Sequence, residues 1–275
     1  MLFYNRLYIA IRGGGDKLAI KYFKFAIIIV LVFAGCTFTK QFLDRDGESG
    51  GHTTIPVNPK ELLEMAYYCD AAYKKDSKNQ TFVKNNQFSY YVKQDSGVTI
   101  LIFRGTDNKE NVLTDIDFRP FKDGALTRHH KVDLYLHRGF RDAAMFLYKD
   151  IKKNYKLERT VYLTGHSLGG AIAQIIGLWL DMEGRNVQIY TFGSPKVTTT
   201  FFGTKPPHYR VVVDNDPIPF LPIYPYVHSG IRIDVETLRW WEYDEYGKFT
   251  EIDGRDHSIK YYLKELTKTI RAIDG

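Results

Sequence analysis

The spacing of apolar and polar residues changes several times along the 275-residue chain, and each change predicts an element. Asn58 followed by Pro59 reads as an N-cap and a first helical position, opening a helix over Pro59–Tyr73. Two β-rich runs, Gln87–Lys93 and Val98–Phe103, flank the turn-forming Gln94-Asp95-Ser96-Gly97 and predict a hairpin. Phe118–Phe121 and Val132–Leu136 read as short strands. Phe140–Tyr155 has Ala143, Ala144, Phe146, Leu147 and Ile151 at helical spacing. Further on, Val161–Thr164 reads as a strand, Leu168–Met182 as an apolar helix, and Val187–Phe192 and Tyr209–Val213 as short runs typical of buried parallel strands. A helix from about His257 to Ile273 closes the pattern. Strand and helix alternate through the middle with no repeat, which predicts one three-layer α/β domain with a mostly parallel central sheet.

The first fifty-odd residues break this pattern. Positive charges precede the apolar run Phe25–Phe33, which is short for a membrane span and has the proportions of a signal-peptide core. Ala34-Gly35-Cys36 at its end resembles the lipobox of bacterial lipoproteins, in which Cys36 would be lipidated; Phe33 stands where that pattern prefers leucine. An ordinary signal peptide cut near Gly35 and an uncleaved anchor are the alternatives. The expected organisation is a signal and lipobox region over residues 1–36, a polar tether over 37–57, and an α/β domain over 58–275. The expected location is the cell envelope, through a lipid anchor on a membrane surface, or secretion.

Composition adds two exclusions. Four of the six net positive charges fall within residues 1–35, so the remaining chain has too little positive charge for a nucleic-acid footprint. With only Cys36 and Cys69, no disulfide framework supports the fold, and Cys69, set among small and aromatic residues, reads as a buried apolar side chain. Trp240, Trp241 and Tyr243 interrupt a polar segment and read as a hairpin packed on the core, with a lipid-contacting rim as the other reading.

Candidate chemistry centres on Gly165-His166-Ser167-Leu168-Gly169, where an apolar strand runs into a small-residue helix. A serine at so tight a turn needs neighbours without bulk, and this nucleophile-elbow pattern makes Ser167 the candidate nucleophile. A serine hydroxyl is a weak nucleophile and needs a histidine base, itself oriented by a carboxylate. In elbow enzymes these follow in the order serine, acid, histidine. His208 would leave only Asp181 or Glu183 upstream, so His228 or His257 must serve. Asp214 and Asp216 follow the run Tyr209–Val213 and sit where catalytic groups of open α/β sheets collect. No cysteine, histidine or carboxylate cluster has metal-ligand spacing in the sequence, and no phosphate-binding glycine loop is present, so no metal and no cofactor are expected.

Phe103-Arg-Gly-Thr106, His137-Arg-Gly-Phe140, Gly165-His-Ser-Leu-Gly-Gly170, Thr191-Phe-Gly-Ser-Pro195, Asn215-Asp-Pro-Ile-Pro-Phe-Leu-Pro222, Tyr226-Val-His-Ser-Gly230 and Asp256-His257 together resemble the class 3 lipases, the fungal-type family with an α/β-hydrolase fold. The resemblance spans roughly Asn58 to Ile273. It implies Ser167 as nucleophile, Asp216 as acid and His257 as base. It implies an oxyanion hole from Thr106 and the Leu168 N–H, and structural roles for His137 and His228. His166 is expected to pack with its side chain turned from Ser167. The implied activity is hydrolysis of carboxylic esters of lipids through an acyl-enzyme. A phospholipase or thioesterase on the same machinery, or a lipid-binding surface protein without turnover, are the rival readings. By position the family's lid falls in Asp107–Asp117, whose only large apolar residues are Val112, Leu113 and Ile116, so weak interfacial activation is expected.

Overall fold

The structure, a computed structural model, describes residues 52–74, 81–83, 88–106, 117–222, 224–242 and 256–274. The lipobox cysteine Cys36, most of the tether, lid residues 107–116 and Tyr243 lie outside them.

Eight strands form the main sheet in the order β1 (Thr81–Val83), β2 (Phe88–Asp95), β3 (Val98–Phe103), β6 (Thr160–His166), β7 (Asn186–Phe192), β8 (His208–Val212), β9 (Ile231–Asp234) and β10 (Trp240–Trp241). The run from β3 through β6, β7 and β8 to β9 is parallel, and the pairs at both ends are antiparallel. A separate two-stranded sheet joins β4 (Pro120–Lys122) to β5 (Tyr135–His137). The expected hairpin is β2–β3, closed by Ser96 and Gly97, both at positive φ as the right-handed strand twist favours.

Helices cover both faces of the main sheet. Helices α1 (Pro59–Ala72) and α5 (Ile259–Asp274) lie on one, and α3 (Arg138–Asn154) and α4 (Leu168–Met182) on the other. The pleat sorts the side chains between them: Val161 and Leu163 of β6 join the core beneath α3 and α4, while Tyr162 packs into the core beneath α1 and α5. Every residue of α4 from Leu168 to Leu180 is buried, which explains a helix apolar all round rather than striped. Full burial of each large aliphatic side chain contributes about 1.5–3 kcal/mol, so α4 is the anchor of the fold and Ser167 stands at its entrance.

The structure corrects several boundaries. A helix absent from the sequence reading, α2 (Gly124–His130), separates β4 and β5; Asp123 caps it, accepting from the Ala125 and Leu126 N–H groups, and Leu126 is its single buried residue. Its one apolar contact left no periodicity to read. The predicted strand over Val132–Leu136 starts later, at Tyr135, and α3 begins at Arg138 because His137 is its N-cap. Strand β9 also went unpredicted, since Arg232 and Asp234 are buried in it and give it the look of a polar segment.

Cys69 is buried as expected: it contacts Thr164 Oγ1 at 3.2 Å, and burial pushes its thiol up to about 12. Trp240 is a packed strand residue, stacked on His52 with ring centroids 4.3 Å apart and donating from Nε1 to the Thr54 carbonyl. Among the described residues no helix is long and apolar enough to cross a membrane.

Candidate active site

Three parallel strands end at one place. Ser167 follows β6, Gly193 follows β7 and Asp216 lies just beyond β8, so the carboxyl edge of the sheet gathers the groups that chain order could only rank. Ser167 occupies the strand-to-helix turn at φ 59°, ψ −131°. Such a conformation costs a non-glycine residue about 1–3 kcal/mol, and the flanking residues explain why it holds. A Cβ at Gly165 would fall 2.2 Å from the Gly169 carbonyl, and one at Gly169 would fall 2.2 Å from the Phe103 carbonyl oxygen. Strand and helix therefore touch backbone to backbone, and the turn between them has no other path.

The Ser167 hydroxyl lies 2.8 Å from His257 Nε2, and His257 Nδ1 lies 2.8 Å from Asp216 Oδ2. Asp216 is completely buried. Its Oδ2 also accepts the Tyr262 hydroxyl at 2.6 Å, and its Oδ1 accepts the Ile218 N–H at 2.9 Å. An ionised carboxylate accepts only, so these donors compensate its burial and leave the Nδ1 proton of His257 directed at Oδ2. His257 Nε2 is then the acceptor for the serine hydroxyl. Burial, reinforced by the Asp216 charge, raises the Tyr262 phenol well above its ordinary pKa, so it stays a neutral donor.

The other expected candidates take different places. Asp214 pairs with Arg232 of β9 and is half exposed. His228 donates from Nε2 to the Pro219 carbonyl at 2.6 Å, inside the turn that follows Asp216. His137 stacks on Phe140 and accepts the Phe140 N–H at Nδ1, and burial lowers its pKa to about 4. His208 is buried against Thr191 and held neutral by desolvation. His166 has its ring beside that of His257, with centroids 4.6 Å apart. Its Nε2 donates to the His257 carbonyl at 2.8 Å, while Nδ1 accepts the Tyr73 hydroxyl at 2.9 Å.

Thr106 is half-buried just beyond β3. A Cβ on its neighbour Gly105 would come 2.7 Å from the His166 carbonyl oxygen, which puts this backbone against the elbow. Leu168 is the first residue of α4, and N–H groups in a helix's first turn have no intrahelical acceptor. Tyr262, Tyr73 and Gly193 are the residues that sequence reasoning missed. Tyr262 lies on the same buried stripe of α5 as Ile259, Leu266 and Ile270, where an aromatic residue signals core before chemistry.

Gly193, at φ 57°, supports a prediction of its own. A Cβ there would stand 2.7 Å from Asp216 Oδ2 and 3.1 Å from both His257 Nδ1 and the Tyr262 hydroxyl. Gly193→Ala is expected to displace the carboxylate and lower kcat at least about 100-fold, since a misplacement of about 1 Å can cost that much. Stability is expected to fall by about 1–3 kcal/mol. Ester turnover and denaturant unfolding of the variant measure both, and unchanged kcat would mean that the Asp216–His257 pair tolerates displacement.

Residues 100–225 match the family model described as lipase (class 3). The match covers 126 of the 275 residues. A secreted mono- and diacylglycerol lipase of Fusarium solani is 31% identical over 144 residues, covering 48% of this chain and 42% of that protein, so the match spans about two fifths of the relative's length. Among solved structures, the triacylglyceride lipase of Rhizomucor miehei superposes with a TM-score of 0.57 at 20% identity, covering 76% of this chain and 98% of the other. A triacylglycerol lipase described as having a serine protease triad as its catalytic centre gives the same TM-score of 0.57 at 19% identity, over 76% and 96% of the two chains. These likenesses establish the α/β-hydrolase fold. The matched residues run from β3 past the elbow to Pro225, and His257 reaches Ser167 from beyond them.

Proposed function

We infer that this protein is a serine hydrolase that cleaves carboxylic ester bonds of lipids through an acyl-enzyme on Ser167. The observation that carries this reading is the unbroken run of hydrogen bonds from Ser167 Oγ through His257 to buried Asp216, each 2.8 Å long. In the reaction, His257 Nε2 accepts the Ser167 proton as Oγ attacks the ester carbonyl. Negative charge then develops on the carbonyl oxygen. The N–H groups of Leu168 and Thr106, with the Thr106 hydroxyl, stabilise it, and each such donor supplies about 2.7–4 kcal/mol. Collapse of the tetrahedral intermediate breaks the bond to the alcohol oxygen, which takes the proton from His257. Water then enters, gives a proton to His257 and attacks the acyl carbon, and Ser167 Oγ leaves with that proton as the carboxylic acid is released. Asp216 stays anionic throughout and stabilises the imidazolium.

The lipid character of the substrate rests on the class 3 match and on the mono- and diacylglycerol lipase relative. A fluorophosphonate probe should label the wild type at Ser167, and a panel of glycerolipids, phospholipids, thioesters and soluble esters should show preferential turnover of glycerolipid or simple carboxylic esters. Absence of labelling on folded protein would make it a binding protein. A clear preference for phospholipids or thioesters would move the substrate class.

Two further readings concern where and how it acts. Weak interfacial activation is expected from the polar Asp107–Asp117 segment: turnover of a short-chain ester should change little as its concentration crosses the solubility limit. A steep rise at the onset of an emulsion would overturn that. The apolar run Phe25–Phe33 followed by Ala34-Gly35-Cys36 supports export with a lipid anchor on Cys36, and the similar Fusarium solani lipase, a secreted protein, supports export. Metabolic labelling with a palmitate analogue should mark the wild type and miss Cys36→Ala; equal labelling of both would remove the anchor.

A further inference from the structure

One side-chain cluster lies outside this machinery and is invisible to sequence spacing, because its carboxylate, Asp181, is 52 residues from the first of its two adjacent histidines. His129 and His130 are the last two residues of α2, and Asp181 lies in the last turn of α4. One ligand atom from each of the three falls within 4.8 Å of the others. His129 Nε2 is 3.0 Å from Asp181 Oδ2, and the two imidazoles meet edge to face with centroids 4.9 Å apart.

Two observations are unexplained by an ordinary surface ion pair. His130 Nε2 is buried without any hydrogen-bond partner, a state that costs about 1–3 kcal/mol, and its ring is held at 4.9 Å from Phe202. Asp181 places a negative charge at the negative end of the α4 dipole, with no basic residue in that turn to offset it. A divalent cation answers both. It takes the lone pair of the orphaned imidazole, neutralises the carboxylate and sits favourably at a helix C-terminus.

We propose that His129, His130 and Asp181 form a binding site for a borderline divalent transition ion such as Zn²⁺, which joins the C-terminus of α2 to that of α4. Two imidazoles and one carboxylate are a donor set suited to Zn²⁺, with water completing a tetrahedron. Bonds of about 2.0–2.2 Å put tetrahedral ligand atoms about 3.3 Å apart, so the His129–Asp181 edge nearly fits as it stands, and closing the remaining edges needs side-chain shifts of about 1.5 Å or less. Ser167 and Asp181 stand at opposite ends of α4. At 1.5 Å per residue this separates them by roughly 20 Å, so the ion acts on the stability of the helix pair and takes no part in ester cleavage.

The test uses the full chain without a histidine tag, stripped with a chelator and titrated with Zn²⁺ alone. The expected result is saturable one-to-one binding, a rise in Tm reversed by chelator, and unchanged ester turnover. Asp181→Asn and His130→Gln should each weaken binding at least about tenfold while still labelling with a fluorophosphonate, which reports an intact fold. Lack of saturable binding, or equal affinity in wild type and both variants, overturns the proposal. Should the variants fail to fold, the wild type decides through Co²⁺: intense visible absorption of a four-coordinate site supports it, and a weak octahedral spectrum or none overturns it.

Discussion

Ser167→Ala should lower kcat for ester hydrolysis by about 10⁴–10⁶ and abolish fluorophosphonate labelling, with the unfolding midpoint almost unchanged. Stability is spared because alanine keeps the Cβ that sets the strain at φ 59° and removes only one hydroxyl, at a half-buried position, with its bond to His257 Nε2. His257→Ala should cost about as much, since nucleophile and base act as one unit and their losses do not add. Glycine at position 167 separates chemistry from stability further. Ser167→Gly should be equally inactive yet about 1 kcal/mol more stable than Ser167→Ala, because relief of the positive-φ strain exceeds the entropic cost of glycine. Steady-state kinetics and urea denaturation of the three variants give these numbers. A Ser167→Ala protein that is folded and still turns over esters at more than a hundredth of the wild-type rate would remove Ser167 as nucleophile.

Legibility in the sequence followed the size and uniformity of the apolar signal. Strands β3, β6, β7 and β8 and helices α4 and α5 were readable because their apolar runs or stripes are dense enough to outweigh isolated buried charges such as Arg210 in β8 and Glu265 in α5. Where burial is polar, the pattern failed. In β9 the buried Arg232 and Asp234 are satisfied by Asp214 and by the Glu236 and Thr237 N–H groups, partners that no local spacing reveals. Helix α2 escaped notice because it has a cap and a single buried leucine, too little for an apolar period. At the site, chain order narrowed the histidine to two and the acid to two, but the choices depend on direction. Asp214 and Asp216 leave the same strand end, yet one meets an arginine on the neighbouring strand and the other meets His257. Sequence gave no view of the support around the base. The His166 ring tied to the His257 carbonyl, the Tyr262 hydroxyl and the space left by Gly193 are contacts between residues far apart in the chain.

Asp216→Asn should lower kcat by about 10⁴, while Asp214→Asn changes it less than about threefold. The hydrogen-bond inventory around position 216 decides this. If the asparagine oxygen takes the Oδ2 place, it still accepts from His257 Nδ1 and Tyr262, but its NH₂ group then opposes the Ile218 N–H across 2.9 Å, leaving two buried donors unpaired at about 1–3 kcal/mol. If the amide turns over, its oxygen accepts from Ile218 and its NH₂ points at His257 and Tyr262. Tyr262 can adapt, since a hydroxyl accepts as well as donates. His257 can adapt only by giving up the Nδ1 proton and carrying it on Nε2, which places a donor against Ser167 Oγ where the base must accept. This second arrangement satisfies more groups, so the variant should fold and bind substrate while holding the wrong tautomer, lowering kcat with KM little changed. Asp214→Asn keeps an oxygen for Arg232 at a half-exposed site and touches neither the histidine nor its partners. Kinetics on the two purified variants distinguish the assignments directly. If Asp214→Asn proved the more damaging, the acid of the site would be Asp214 and the observed Asp216–His257 bond would be structural.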